Sequence, residues 1–366
     1  MVSTRCPGPA ELAVTGVGVV SPWGDDPETA VVGGSAPFPA GEWFNHRTRL
    51  GPRGYKYLPS AAQYILAAAR AAQVDRGCPE AHPADRRGFL LATNAGLAGL
   101  FDSMDATIAA EGAAGISPAS APYFAVNVLG NRLAAELSLN GFALTFATAR
   151  TAAVDALSTG ALALASGRCD TLVLAAVEEP VPDGRGGGGE QGAVALTLEP
   201  AVAARARGTA VRATLRTRSL FVPPAALDGA QGRAHADRVL AAALTQVLPS
   251  ANPPSTVHVD LDSSPVSAAV VAALAGIPVR LPEPPRDGPY PDGPPEDDDP
   301  ARTGRLLPPR RIGCLGPALA VARAVNAAKG GDQLVVCATG AGHVALVRVS
   351  PYRLTTTQES EHAEAA

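Results

Sequence analysis

Cysteine is the side chain in this sequence best suited to nucleophilic or metal chemistry, and it occurs five times, at Cys6, Cys78, Cys169, Cys314 and Cys337. The spacings are long, the number is odd and no pair forms C-x-x-C. Neither a zinc site nor a disulfide framework is suggested, and buried free thiols in a reducing compartment are the expectation. A thiol attacks only as its thiolate, which needs a base or a cationic setting to form. Cys314 has no evident histidine partner, and the hydroxyls of Thr148 and Thr151 have no evident base. No cofactor and no metal are expected.

Whatever chemistry there is must be positioned by strands alternating with helices. Glu11 to Val20 reads as a buried, β-branched strand stopped at Ser21-Pro22, and Ser60 to Gln73 as an Ala-rich helix with Ser60 as its N-cap. Phe89 to Thr93 and Ala143 to Ala147 read as short strands, Thr151 to Ser166 as a helix and Thr171 to Val177 as a strand. The second half repeats the pattern. Ala193 to Leu198, Val257 to Leu261, Gln333 to Ala338 and the end of Gly340 to Val349 read as strands, with helices over Val266 to Ala275 and Gly316 to Ala328. This alternation predicts an α/β fold around a largely parallel sheet. Pro180 to Gly189, with four consecutive glycines, reads as a loop; Leu281 to Arg311, dense in Pro and acids, reads as an exposed excursion; the tail reads as frayed.

Composition narrows the function classes. The chain has 366 residues, 46% apolar, with a formal net charge of -4, which is long enough for one large domain or two fused halves. Arginines are scattered among acids, which argues against nucleic-acid binding. No basic run precedes a long apolar stretch, and no window reaches about 18 uninterrupted apolar residues, so a membrane span is not expected and a cytoplasmic location is.

The pieces, in order, resemble the ketosynthase branch of the thiolase superfamily over nearly the whole chain. The opening Val14-Thr15-Gly16-Val17-Gly18-Val19-Val20-Ser21-Pro22-Trp23-Gly24 is similar to that family's first strand and turn. Tyr55-Lys56-Tyr57 before the Ala-rich helix, Pro122-Tyr123-Phe124 with Asn127 and Asn131, Arg205-Ala206-Arg207-Gly208 and Gly340-Ala341-Gly342-His343 resemble the segments that follow. The resemblance implies a five-layered α-β-α-β-α sandwich of two similar halves, residues 1–200 and 201–350, with a polar tail at 351–366 and a dimer formed through the core sheets.

It also implies where catalytic groups would stand, and here the sequence departs from the family. Active members carry a Cys at a strand-to-helix elbow; the elbow Thr145 to Leu157 carries Arg150 at that position, and a guanidinium cannot attack a thioester. Where the first His belongs, the run ending at Pro265 has Asp260, with His258 two residues earlier on the same strand face. Where the second His belongs, Ile312-Gly313 is followed by Cys314, and the lysine position falls on Pro309. Arg150, Asp260 and Cys314 are thus vestigial site positions, with no catalytic residue assigned. Arg150 and Asp260 are expected to form a buried pair plugging the old site, the alternative being Arg150 extended to solvent.

The leading expectation is a catalytically inactive subunit like the chain length factors of type II polyketide systems. Its implied partners are an active ketosynthase, in a heterodimer, and an acyl carrier protein. Two other readings stay open, an acyltransferase with a relocated nucleophile such as Cys314 and a non-catalytic scaffold for the carrier protein.

Overall fold

The computed structural model describes residues 11–30, 42–180, 190–248, 253–275, 277 and 313–352. The glycine loop at 181–189, the excursion at 281–311, Ile312, the tail from 353 and Cys6 lie outside the described residues. The first half comprises β1 (Leu12–Val20), α1 (His46–Arg49), α2 (Ser60–Arg76), β2 (Arg87–Ala92), α3 (Ala98–Glu111), α4 (Asn127–Leu137), β3 (Ala143–Phe146), α5 (Ala152–Ala165), β4 (Thr171–Glu178) and β5 (Gly192–Pro200). Then come α6 (Ala201–Ala206), β6 (Ala213–Phe221), α7 (Ala230–Val247), β7 (Thr256–Leu261), α8 (Pro265–Leu274), α9 (Leu315–Ala327), β8 (Gln333–Ala338) and β9 (His343–Pro351). Among the described residues no helix is long and apolar enough to cross a membrane.

The strands form one mixed sheet in the order β3-β2-β4-β5-β1-β6-β9-β8-β7. Among the described strands five pairings are antiparallel and three parallel, so the largely parallel sheet expected from the sequence does not form: strands such as β8 and β9 follow one another through a short turn and must pair antiparallel. Its middle seam is narrow, since β1 meets β6 only over Leu12 to Val14 against Ala213 to Leu215. Read outward from that seam, β1-β5-β4-β2 and β6-β9-β8-β7 repeat one scheme of two antiparallel contacts followed by a parallel one. Beyond the seam the half-sheets part, and helices fill the gap.

Three apolar clusters mark the layers. The central one joins α5 and α9 to the inward residues of both half-sheets, among them Leu172, Leu174, Leu196, Val335 and Val347. The alternate strand residues face outward, onto α2 and α4 in the first half and onto α7 and α8 in the second. Both faces of most strands are therefore buried, which is why they read as continuous apolar runs. The architecture is the five-layered sandwich.

β1 shows how sequence sets this packing. A bulge between Val14 and Gly16 shifts its register against β5, so Leu12 and Val14 before it, and Val17 and Val19 after it, all face the central helices. The shift turns Gly16 and Gly18 onto α2. A Cβ on Gly18 would lie 2.0 Å from the Ala68 carbonyl oxygen, and one on Gly16 would lie 2.1 Å from that of Ala72. The G-x-G spacing permits backbone-to-backbone contact between strand and helix.

Further details differ from the sequence reading. Pro59, not Ser60, is the N-cap of α2, and Ser60 is the first helical residue; the Glu179 carboxylate takes up the Ala61 N–H instead. The sequence reading also assigns no strand to β6 and no helix to α3, α4 or α7. β6 carries Arg216 and Arg218, which mask its strand pattern, and the α7 sequence is Ala-rich with only Ala236, Leu240, Ala243 and Val247 buried.

Gly18→Ala should destabilise the fold by about 1–3 kcal/mol, because the obstruction is backbone on a packed helix. Urea denaturation measures it, and an unchanged midpoint would contradict the close-approach account.

Candidate functional site

The N-termini of α5 and α9 open at the ends of strands on the same side of the sandwich. β3 ends at Phe146, and the chain turns into α5 through Ala147 to Thr151. The turn places Ala149 at φ 49°, in the left-handed region, which costs an L-residue roughly 1–2 kcal/mol. A short 3-10 turn over Ala149–Thr151 follows and presents Arg150 at the mouth of the helix.

A helix N-terminus favours an anion, so a guanidinium there needs compensation. Asp260, on β7, supplies it, accepting a hydrogen bond and an ion pair from Arg150 Nη1. The two side chains are only 12% and 13% exposed. Gly316, in the first turn of α9, gives Asp260 its space, since a Cβ there would fall 2.4 Å from Asp260 Oδ2. The structure therefore brings Arg150 and Asp260 together in a mostly buried pair, as the sequence reading expects, and not with Arg150 extended to solvent.

The elbow hydroxyls are also committed. Thr148 Oγ1 and Thr151 Oγ1 both donate to Asp155 Oδ2, each at 2.8 Å. Sequence reasoning missed Asp155, although its place in the first turn of α5, four residues after Thr151, is the signal of a helix-start carboxylate. Its role here is to staple the elbow. Behind it, burial and the charge of Asp155 push the Cys337 thiol upward, with Arg150 opposing.

His258 stays away from this group. Its Nε2 meets Gln333 Oε1 at 3.3 Å, and burial lowers its pKa. With Val257, Val259 and Leu261 packed in the outer cluster, His258 and Asp260 share the opposite strand face, as expected.

Cys314 is the N-cap residue of α9 and is fully buried. Burial, then the charges of Glu178 and Glu190, push its thiol well above the ordinary range, and it is hydrogen-bonded to Glu178. These surroundings hold the sulfur protonated, which is the reverse of what an attacking thiolate needs. The carboxylates responsible went unassigned in the sequence. Glu178 Oε1 accepts from the N–H groups of Asn94 and Cys314, each at 2.9 Å, and Oε2 from Ala95 at 2.6 Å. Glu190 Oε2 accepts from Leu315 N–H at 3.1 Å. Burial still dominates and raises the pKa of Glu178. Gly313 fits between the two, for a Cβ on it would lie 2.2 Å from Glu190 Oε2 and 2.8 Å from Glu178 Cγ. Among the described residues there is no group of three or more His, Cys, Asp or Glu disposed to hold a metal ion.

Comparison with known proteins bears on the fold. The beta-ketoacyl synthase N-terminal domain family matches residues 34–211. No curated protein sequence matches the chain. Among solved structures, the chain is similar to a type II PKS acyl-carrier protein in complex with its ketosynthase (AntDE:AntF), at TM-score 0.69 and 16% identity, over 94% of this chain and 100% of that one. It is similar to the ishigamide ketosynthase/chain length factor at TM-score 0.67 and 16% identity, with the same 94% and 100% coverage. A beta-ketoacyl synthase from Burkholderia phymatum STM815 aligns at TM-score 0.65 and 12% identity, again over 94% and 100%. Residues 34–211 therefore match the beta-ketoacyl synthase N-terminal domain, and the described backbone has the thiolase-like fold of these ketosynthase structures.

Proposed function

We propose that this chain is a non-condensing ketosynthase-like subunit of a type II polyketide system, resembling a chain length factor. In this reading it pairs with an active ketosynthase, stabilises the dimer and shapes the acyl tunnel, with halves at residues 1–200 and 201–350 and a tail at 351–366. The observation that carries it is the Arg150–Asp260 pair at the mouth of α5. A permanently charged guanidinium stands where the family's nucleophile belongs, and a carboxylate accepting from it stands where the first His belongs.

The surface supports a partner. Strand β3 is an edge of the sheet, and its backbone is a template for another strand. Leu144 on β3 is 42% exposed and Leu162 on neighbouring α5 is 70% exposed. Phe124, stacked on Phe101 of α3 at 6.5 Å, is also exposed. Residues 46–57 depart from the scatter of arginines among acids read elsewhere in the sequence. They hold Arg47, Arg49, Arg53 and Lys56 and no acid; Arg49 pairs with Asp25, and the other three are exposed. That stretch suits an anionic partner, and an acyl carrier protein is the one this reading supplies.

The relocated-nucleophile reading finds no support at Cys314, whose burial and carboxylate neighbours oppose ionisation. A bare scaffold without a tunnel would leave product length unchanged when this subunit is exchanged in a reconstituted pair.

Co-expression with a Cys-containing ketosynthase from the same host should yield a complex of one copy of each. Leu144→Asp, a change at an exposed site, should leave this chain folded but abolish the complex. Recovery of this chain as a stable monomer beside an unbound ketosynthase would contradict the reading. Arg150→Ala should lose about 3 kcal/mol, because it strands Asp260 in a mostly buried site. Arg150→Ala/Asp260→Ala should recover part of that loss. If the single variant melts no lower than the double, the pair does not work as a plug.

A further inference from the structure

The basic stretch at 46–57 owes its shape to side chains that lie outside it. From Gly51 to Leu58 the chain forms neither helix nor strand, and Gly51 and Gly54 sit at φ 126° and 92°. Such a segment loses much conformational freedom when it is ordered, so other contacts must hold it. Three apolar side chains anchor it at intervals. Leu50 is buried in the outer cluster that α2 joins, and Tyr55 and Leu58 pack partly buried against that cluster. Between these anchors Arg53, Lys56 and Tyr57 project, and Tyr57 is 86% exposed.

Polar bonds run to the same anchors. Arg70, on α2, donates from Nη1 to the Leu50 carbonyl and from Nη2 to the Tyr55 hydroxyl, each at 2.5 Å. Nη2 also forms an ion pair with Glu136 Oε1 on α4, and the Tyr55 hydroxyl donates to that same oxygen at 2.9 Å. Arginine, tyrosine and glutamate thus close a triangle of hydrogen bonds, with the guanidinium 5.2 Å from the centre of the Tyr55 ring. Gln63, earlier on α2, donates from Nε2 to the carbonyls of Tyr55 and Leu58, at 3.2 and 2.9 Å. Burial opposes ionisation of Glu136, but the bonds from Arg70 and Tyr55 outweigh it and hold its carboxyl below the usual range. The triangle is therefore closed at neutral pH. Two helices of the outer layer grip a loop that has no regular structure of its own.

We propose that Tyr55, Arg70 and Glu136 are positioning residues, which hold residues 50–58 as one pre-shaped platform for the acidic surface of an acyl carrier protein. The choice of partner rests on the reading above; the grip on the loop does not. A surface ordered before contact loses less entropy on binding than one ordered by it. Glu136 balances the charge of Arg70 within the grip, so recognition of an acidic partner is left to the projecting Arg53 and Lys56. Tyr57, with Lys56 Nζ 5.3 Å from its ring centre, adds a large apolar contact beside the charge.

Limited trypsin digestion reads the grip without any partner. Arg53 and Lys56 are cleavage sites inside the platform, and Arg238, exposed on α7, is one outside it. Tyr55→Phe and Glu136→Gln should each raise cleavage at Arg53 and Lys56 about fivefold, as the loss of one hydrogen bond would, and leave the rate at Arg238 unchanged. Equal rates in parent and variants, or a rise as large at Arg238, overturn the grip.

Binding of the full chain to an acyl carrier protein from the same host tests the platform. Both variants should bind it about fivefold more weakly than the parent. Charge alone gives the opposite sign for Glu136→Gln, which removes an acid beside a basic surface. Tyr55→Phe should keep the parent's salt dependence, because no charge changes, whereas Lys56→Ala should flatten it. Variants that bind as tightly as the parent, or Glu136→Gln binding more tightly, overturn the platform. If the parent itself does not bind the carrier protein, the partner reading of this surface fails, and the trypsin rates still decide the grip.

Discussion

Each half-sheet has two apolar faces, and both must be covered. The inner faces of the two halves share a single layer of helix, α5 and α9, and this constraint governs the rest of the molecule. The shared helices must begin where strands end, so their first turns are enclosed on every side. Whatever stands at those turns is desolvated, and the unpaired N–H groups of a helix start make anions welcome there. The fold thus builds a buried, anion-seeking pocket from packing alone.

In this chain the residues at those turns are hydrogen-bonded carboxylates and an ion pair. At α9 the carboxylates of Glu178 and Glu190 take up the N–H groups of Cys314 and Leu315, which explains why a thiol at the same place is held in its neutral form. At α5 the occupant is a cation, against the sense of the helix dipole, and Asp260 balances it. Gly313 and Gly316 leave the room that the carboxylates use. Consecutive glutamates at the end of β4 divide the work, with Glu178 turned to α9 and Glu179 to α2. The end of one strand therefore ties together the central and outer helix layers.

The fold was legible because β1, β4 and β5 are buried on both faces and read as unbroken apolar runs, and because α5 and α9 repeat small apolar residues at helical spacing. β6 and α7 were not, since arginines on a strand and alanines on a solvated helix carry little periodic signal. At the site, Arg150 and Asp260 could be paired from the sequence because a family pattern fixes both positions. Asp155, Glu178, Glu179 and Glu190 could not. Each acts by accepting backbone N–H groups or threonine hydroxyls brought to it by the fold, and such partnerships leave little trace in residue type or spacing. The N-cap of α2 shows the same limit, where Ser60 is chemically suitable but a glutamate 118 positions away in the chain meets the Ala61 N–H.

The central claim is that no side chain in the enclosed pocket can accept an acyl group. Its most direct test is the intact mass of the purified, partner-free chain after incubation with an acyl thioester. The account predicts an unchanged mass. A stoichiometric acyl adduct, mapped by peptide sequencing to Cys314, Thr148, Thr151 or any other residue around α5 and α9, would contradict it.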